Sequence, residues 1–188
     1  MRRERMGSGC LSGLALQVTA EQAENSKRLV ACASLELVNL IHVRAAHMTA
    51  AGCPVKNAPE KPLPTATGSL LSDTNRFRVV VQHVMHGERE TKGTTEEVQV
   101  DATLELVYSY PADTKPVPSP EEIQAFANTN ALMNCWPYWR ELVQNMVARM
   151  NLPPFVVPLL RYVPPPPQQK KTPADAVQKP EEAPKVGG

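Results

Sequence analysis

The chain has 188 residues, with 20 Lys and Arg against 19 Asp and Glu, a formal net charge of +1. That length holds one ordinary domain with tails, and the balanced charge argues against a dedicated nucleic-acid binder, which carries a basic stripe. Of the 19 prolines, ten fall in the last 38 residues, so the excess belongs to a tail and not to the fold.

Four cysteines, Cys10, Cys32, Cys53 and Cys135, form no Cys-x-x-Cys pair, which excludes zinc ribbons and thioredoxin-like redox motifs. Scattered in this way they read as small buried hydrophobes of a reducing compartment. The N-terminus is charged but lacks the apolar run of a signal peptide. No window reaches the roughly 18 apolar residues of a membrane span. The expectation is a cytoplasmic protein without membrane insertion.

Residues 1–18 are expected to be disordered. Thr19 opens a helix over about 19–33, with Gln22 placed three residues on to close a capping box. Leu35 to Met48 reads as a long first strand buried partly on both faces. Leu35, Leu37, Ile41 and Val43 lie on one side, and Val38 and Leu40 on the other. Gly52 to Pro64, with four prolines, is a crossing loop. Leu70 and Leu71 suggest a short strand and Phe77 to His86 a clear one, followed by a polar hairpin connection over Gly87 to Thr95. From Val98 to Tyr110, apolar residues alternate with Gln99, Asp101, Thr103, Glu105 and Ser109. That is one long strand with a wet face, and the short connection before it requires antiparallel pairing.

Ser119-Pro120-Glu121-Glu122 is a helix start with a Ser cap, Pro in the first position and Glu122 placed to close a capping box. That helix is expected to run to about Asn134. Pro137 then begins a second one, whose stripe is Trp139, Leu142, Val143, Met146, Val147 and Met150. Pro153 and Pro154 end it, and Phe155 to Leu160 is apolar and extended. Residues 164–188 read as a disordered or polyproline tail.

Little in this pattern supports chemistry. His83 and His86 point to opposite faces of a strand and cannot share a metal, and His42 and His47 fail in the same way. Nucleophile, zinc-protease and phosphate-loop motifs are missing from the sequence. Asp101 and Glu105 share the wet face of a strand, where neither carboxylate is pushed out of water as an acid–base pair needs. No catalytic residue, metal ligand or cofactor is read, and an enzyme is not expected. What stands out is apolar: five of the nine aromatics, Trp136, Tyr138, Trp139, Phe155 and Tyr162, fall within 27 residues. Trp136, Tyr138 and Phe155 flank helix ends and proline-held chain, where side chains line grooves that adapt to many partners.

The run from Asn134 to Leu159, containing Pro137-Tyr138-Trp139-Arg140-Glu141 and the Pro-bearing segment after it, resembles the signature of SecB, the protein-export chaperone, and its relatives. The order of long first strand, Pro-rich crossover, strand hairpin and helix also fits, over roughly Leu35 to Leu160. The resemblance implies an α+β fold, a four-stranded antiparallel sheet with a long helix packed on one face, spanning 19–163. It implies a homotetramer, a dimer of dimers; the stripe Trp139, Leu142, Val143, Met146, Val147 and Met150, wider than covering one sheet needs, is expected at the oligomer interface.

The resemblance further implies an ATP-independent holdase for unfolded or secretory polypeptides, with Trp136, Tyr138, Phe155, Val156, Val157, Leu159 and Leu160 binding clients. Two features depart from the export members. The C-terminal lid helix has no counterpart, and no Asp or Glu lies between Glu36 and Glu60, where export members meet the motor SecA. Two alternatives stay open: a dedicated chaperone of a toxin–antitoxin partner, and an oligomeric scaffold without chaperone activity.

Overall fold

The computed structural model describes residues 15–51, 64–72, 74–91, 94–152 and 157–163. In chain order these form β1 (Ala15–Gln17), α1 (Ala20–Cys32), β2 (Ser34–Ala51), β3 (Thr65–Leu70), β4 (Arg76–Thr91), β5 (Thr94–Ser109), α2 (Pro120–Phe126), α3 (Leu132–Arg149) and β6 (Arg161–Val163). The expected architecture is present: a four-stranded antiparallel sheet in the order β2-β5-β4-β3, with a long helical run against one face. β1 and β6 pair separately and in parallel.

The alternation of β5 places the layers. Val100, Ala102, Leu104, Leu106 and Tyr108 are buried under the helices, while Gln99, Asp101, Thr103 and Glu105 take the other face. Two apolar clusters result. Beneath α2, Phe77 stacks on Tyr108 at 5.1 Å, and Phe126 stands edge-on to both rings at 5.3 and 5.0 Å; Leu29 of α1 and Ile123 complete this cluster. Beneath α3, Val100 and Ala102 meet Trp136, Trp139, Val143 and Val147, with Val157 and Leu160 closing over them.

Both helix starts are as the sequence predicts. Thr19 and Gln22 close one capping box, Ser119 and Glu122 the other. Glu122 also receives Arg28 of α1, whose Nε donates to Oε1 at 2.9 Å and which so ties α1 to α2. That guanidinium holds the Glu122 carboxyl below its usual range.

Several boundaries differ from expectation, each for a physical reason. The helix does not stop before Pro137: α2, a π turn at Ala127–Ala131 and α3 follow without a break, with Pro137 inside. A mid-helix proline costs about 3 kcal/mol. Burying Trp136 and Trp139 beside it offsets this, at about 1.5–3 kcal/mol for each large side chain. β4 and β5 run on to Thr91 and Thr94, so most of the polar Gly87 to Thr95 stretch is strand. Gly87 lies mid-strand opposite Val98, with open space where a side chain would stand, and is no turn signal.

β3 begins at Thr65 and leaves Leu71 outside. β2 carries register shifts at Glu36 and Ile41, and each moves the following residues to the other face. Leu35, Val38, Leu40 and Val43 therefore share the helix side, opposite Tyr108, Leu106, Leu104 and Ala102, and Leu37 does not. The strand is not buried on both faces either. Lastly, Ala15–Gln17 is a strand inside the segment expected to be disordered. Most of the crossing loop, the Phe155–Val156 pair and the 164–188 tail lie outside the described residues.

Candidate functional site

The two edges of the sheet are built differently, and that difference locates the site. β3, six residues long, is covered. Gln124 of α2 lies along its outer side, where its side-chain amide accepts from the Gly68 N–H at 3.2 Å and donates to the Ala66 carbonyl at 2.8 Å. A side-chain amide thus stands in for a neighbouring strand. The approach requires Gly68: a Cβ there would sit 2.5 Å from Ile123 Cγ2 and 3.0 Å from the Ile123 carbonyl oxygen.

Among the described residues β2, eighteen residues long, has a partner only on its β5 side. Its apolar residues are open: Leu37 is 48% exposed, Leu40 47% and Ile41 55%, with Leu35 and Val43 also exposed. α3 packs on β5 and β4, so among the described residues the helix side of β2 is left largely uncovered. Between β2 and α3 lies a cleft of about 220 Å³ lined by Val38, Leu40, Leu104, Tyr138 and Leu142, with Glu141 and Asn145 also on its wall. Tyr138, at 44% exposure, stands on the α3 side of this strip. Exposed apolar side chains gathered beside a cleft are the kind of surface at which folded domains meet a partner or a ligand.

The residues singled out from the sequence divide. Tyr138 is at the cleft and Leu159 is 66% exposed. Trp136, Val157 and Leu160 are buried within the chain. The Trp136 indole N–H donates to the Pro158 carbonyl at 3.0 Å, and Arg140 Nε donates to the Val157 carbonyl at 3.0 Å. These two bonds lash the extended segment to α3. Of the expected interface stripe, Trp139, Val143 and Val147 are spent on the chain's own sheet. Leu142, Met146 and Met150 at its margin are half-buried. Sequence periodicity finds an apolar stripe but not which surface it meets.

The missed residues are those of β2 and a buried pair. Helix-side exposure on β2 was hidden by the register shifts. His83 of β4 lies between α3 aromatics, stacked on Trp139 with centroids 4.9 Å apart and edge-on to Trp136 at 5.7 Å. Its Nε2 is 3.4 Å from Cys135 Sγ. The spacing is that of a thiol nucleophile and its base, but the electrostatics are opposite. Burial pushes the Cys135 thiol up to about 12 and His83 down to about 4, so both are neutral at pH 7 and no thiolate forms. Among the described residues no three His, Cys, Asp or Glu converge to hold a metal. No described helix is long and apolar enough to cross a membrane.

On the sheet's outer face several acids have local partners, while Asp101 Oδ1 is buried with no hydrogen-bond partner among the described residues. Glu105 faces Arg78 at 3.8 Å, Glu97 faces His86 at 3.8 Å, and Asp101 accepts from Gln99 at 2.7 Å. This is the polar side that the alternation of β5 predicts, half-buried and not fully wet.

No protein-family model and no curated protein matches the chain. Among solved structures, the chain is similar to the SecB-like chaperone Rv1957 of Mycobacterium tuberculosis in complex with a ChAD peptide from the Rv1956 HigA1 antitoxin. The match has a TM-score of 0.54 at 22% identity and covers 74% of this chain and 96% of that one. With its four-stranded antiparallel sheet and long helix, the chain has the SecB-like fold.

Proposed function

We propose that the protein is an ATP-independent holding chaperone, which keeps extended, apolar polypeptide segments from aggregating. The observation that carries this reading is the uncovered strip on β2 and α3, where Leu35, Leu40 and Val43 sit on the helix side of the sheet but remain exposed. Single exposed hydrophobes need no explanation, whereas a contiguous strip along a free edge does. Clients dock in the cleft beside Tyr138 and Leu142, with the exposed Leu159 as a further contact.

Two copies join along the free β2 edges, and the two clefts become one longer groove. A dimer of dimers follows if the half-buried Leu142, Met146 and Met150 also meet a second pair. The SecB-like fold supports the chaperone class, and the similar structure's antitoxin peptide supports a narrower version in which one antitoxin-type partner is the client. Export of secretory polypeptides with SecA is the broader version, and the stretch without Asp or Glu between Glu36 and Glu60 disfavours it.

The test is light scattering of a reduced, unfolded client with and without the protein, no nucleotide added. Suppression at stoichiometric amounts, weakened several-fold by Tyr138→Ala, is expected. Suppression that needs ATP, or scattering unchanged by the protein, overturns the proposal.

A further inference from the structure

The short parallel pair β1–β6 is built unlike the rest of the molecule. It has three residue pairs, Ala15 with Arg161, Leu16 with Tyr162 and Gln17 with Val163. Parallel pairing is slightly weaker per residue than antiparallel, and three pairs give few backbone bonds. β1 is held mainly by one side chain. Ala15 and Gln17 are exposed, while Leu16 points inward and packs against both apolar clusters, at the seam between them.

The neighbours of this strand are secured without it. Val18 is buried, and Thr19 caps α1 through its own hydrogen bonds with Gln22. On the other side the segment before β6 is lashed to α3 by the Trp136 and Arg140 bonds. β1 can therefore leave with little cost to either flank. It would vacate a leucine-sized site at the seam and one free edge of β6, flanked by the half-exposed Tyr162 and Val163.

We infer that β1 is a displaceable strap, and that an extended client segment takes its place on β6 by strand exchange. The segment it fits has one leucine-sized side chain with small or polar residues on either side, as Ala15 and Gln17 flank Leu16. Main-chain bonds to β6 supply attachment regardless of sequence, and the seam reads the single apolar side chain, the division of labour in β-strand addition. The strap competes with clients and sets how readily this edge is used. This rests on the chaperone reading and adds its regulation.

The experiment uses the full chain and a dye-labelled octapeptide copying residues 15–22, with affinity read by fluorescence anisotropy. Leu16→Ser weakens the strap and should bind the peptide several-fold more tightly than wild type. Pairing the two exposed register partners as Ala15→Cys with Arg161→Cys locks the strap. The oxidised form should bind several-fold more weakly, and reduction should restore the wild-type value. Equal affinity for wild type, Leu16→Ser and the oxidised lock overturns the strap. If client aggregation is still suppressed in that case, only the strap fails; if no form suppresses aggregation, the chaperone reading has failed as well.

Discussion

The two edges of the one sheet have received opposite treatment. On β3 the chain covers its own edge with α2, satisfies the Gly68 N–H and the Ala66 carbonyl through Gln124, and keeps the strand to six residues. On β2 an eighteen-residue edge is left uncovered among the described residues, with Leu40 and Ile41 in the open. A sheet that blocks one edge can block both, and an exposed, apolar edge invites other chains. The contrast supports the proposal that β2 is the edge a partner uses, while β3 shows what closure looks like in the same molecule.

The largest effect should come from spoiling the open edge. Leu40→Arg puts a charge in the strip beside the cleft and, with copies joined along β2 as proposed, should leave a monomer in sedimentation velocity where wild type is larger. An exposed substitution of this kind shifts folding stability by only about 0.5 kcal/mol. An unchanged mass would break the comparison at its main point.

The centre of the sheet, under neither edge, supplies a pH control. His83 is held near 4 in the fold against 6.5 in the unfolded chain, because burial penalises its charged form. The unfolded state therefore binds more protons between those values. Stability is full above about pH 6.5 and falls as pH drops towards 4, by about 3 kcal/mol for the whole gap. Chemical denaturation at pH 7 and pH 4 measures it, and His83→Phe should remove most of the slope. A slope that survives in His83→Phe would assign it to other groups.

At the closed edge the effects are smaller. Gly68→Val drives a side chain into Ile123 and should cost about 1–3 kcal/mol, seen as a lowered thermal midpoint. Gln124→Ala should cost about 1 kcal/mol, since water reaches the freed Ala66 and Gly68 groups once the side chain is gone. Its more telling consequence is a new open edge: the variant should associate at concentrations where wild type keeps its mass. If Gln124→Ala loses stability without added association, the amide fills space and does not guard the edge.

Much of the fold could be read from the residues alone, where the signal was local. Ser119, Pro120 and Glu122 specify a helix start whatever surrounds them, and the alternation from Val98 to Tyr110, with Val107 its one exception, specifies both the strand and its polar face. Features set by contacts distant in sequence were not legible. The register shifts at Glu36 and Ile41 re-aim β2 without changing its composition, so the helix-side strip was hidden. Trp136, expected at the client surface, and Trp139, expected at the oligomer interface, are instead buried in the cluster with Val100 and Ala102, which sequence spacing does not reveal. Pro137 reads as a boundary until that burial is weighed against it. Gly68 carried a trace, as a glycine inside a strand marks close approach of other atoms, but Gln124 as its partner lies 56 residues away.

The most direct measurement is hydrogen exchange, read by mass spectrometry, over residues 34–51 and 65–70, comparing wild type with Leu40→Arg and each with and without an unfolded client. The expected result is slow exchange of the β2 amides in assembled wild type, further slowed by client. In the monomeric variant β2 exchange should be fast, while 65–70 stays the same in all four samples. Exchange in β2 that ignores both the substitution and the client, or protection that changes at β3 instead, would contradict the assignment of β2 as the docking edge.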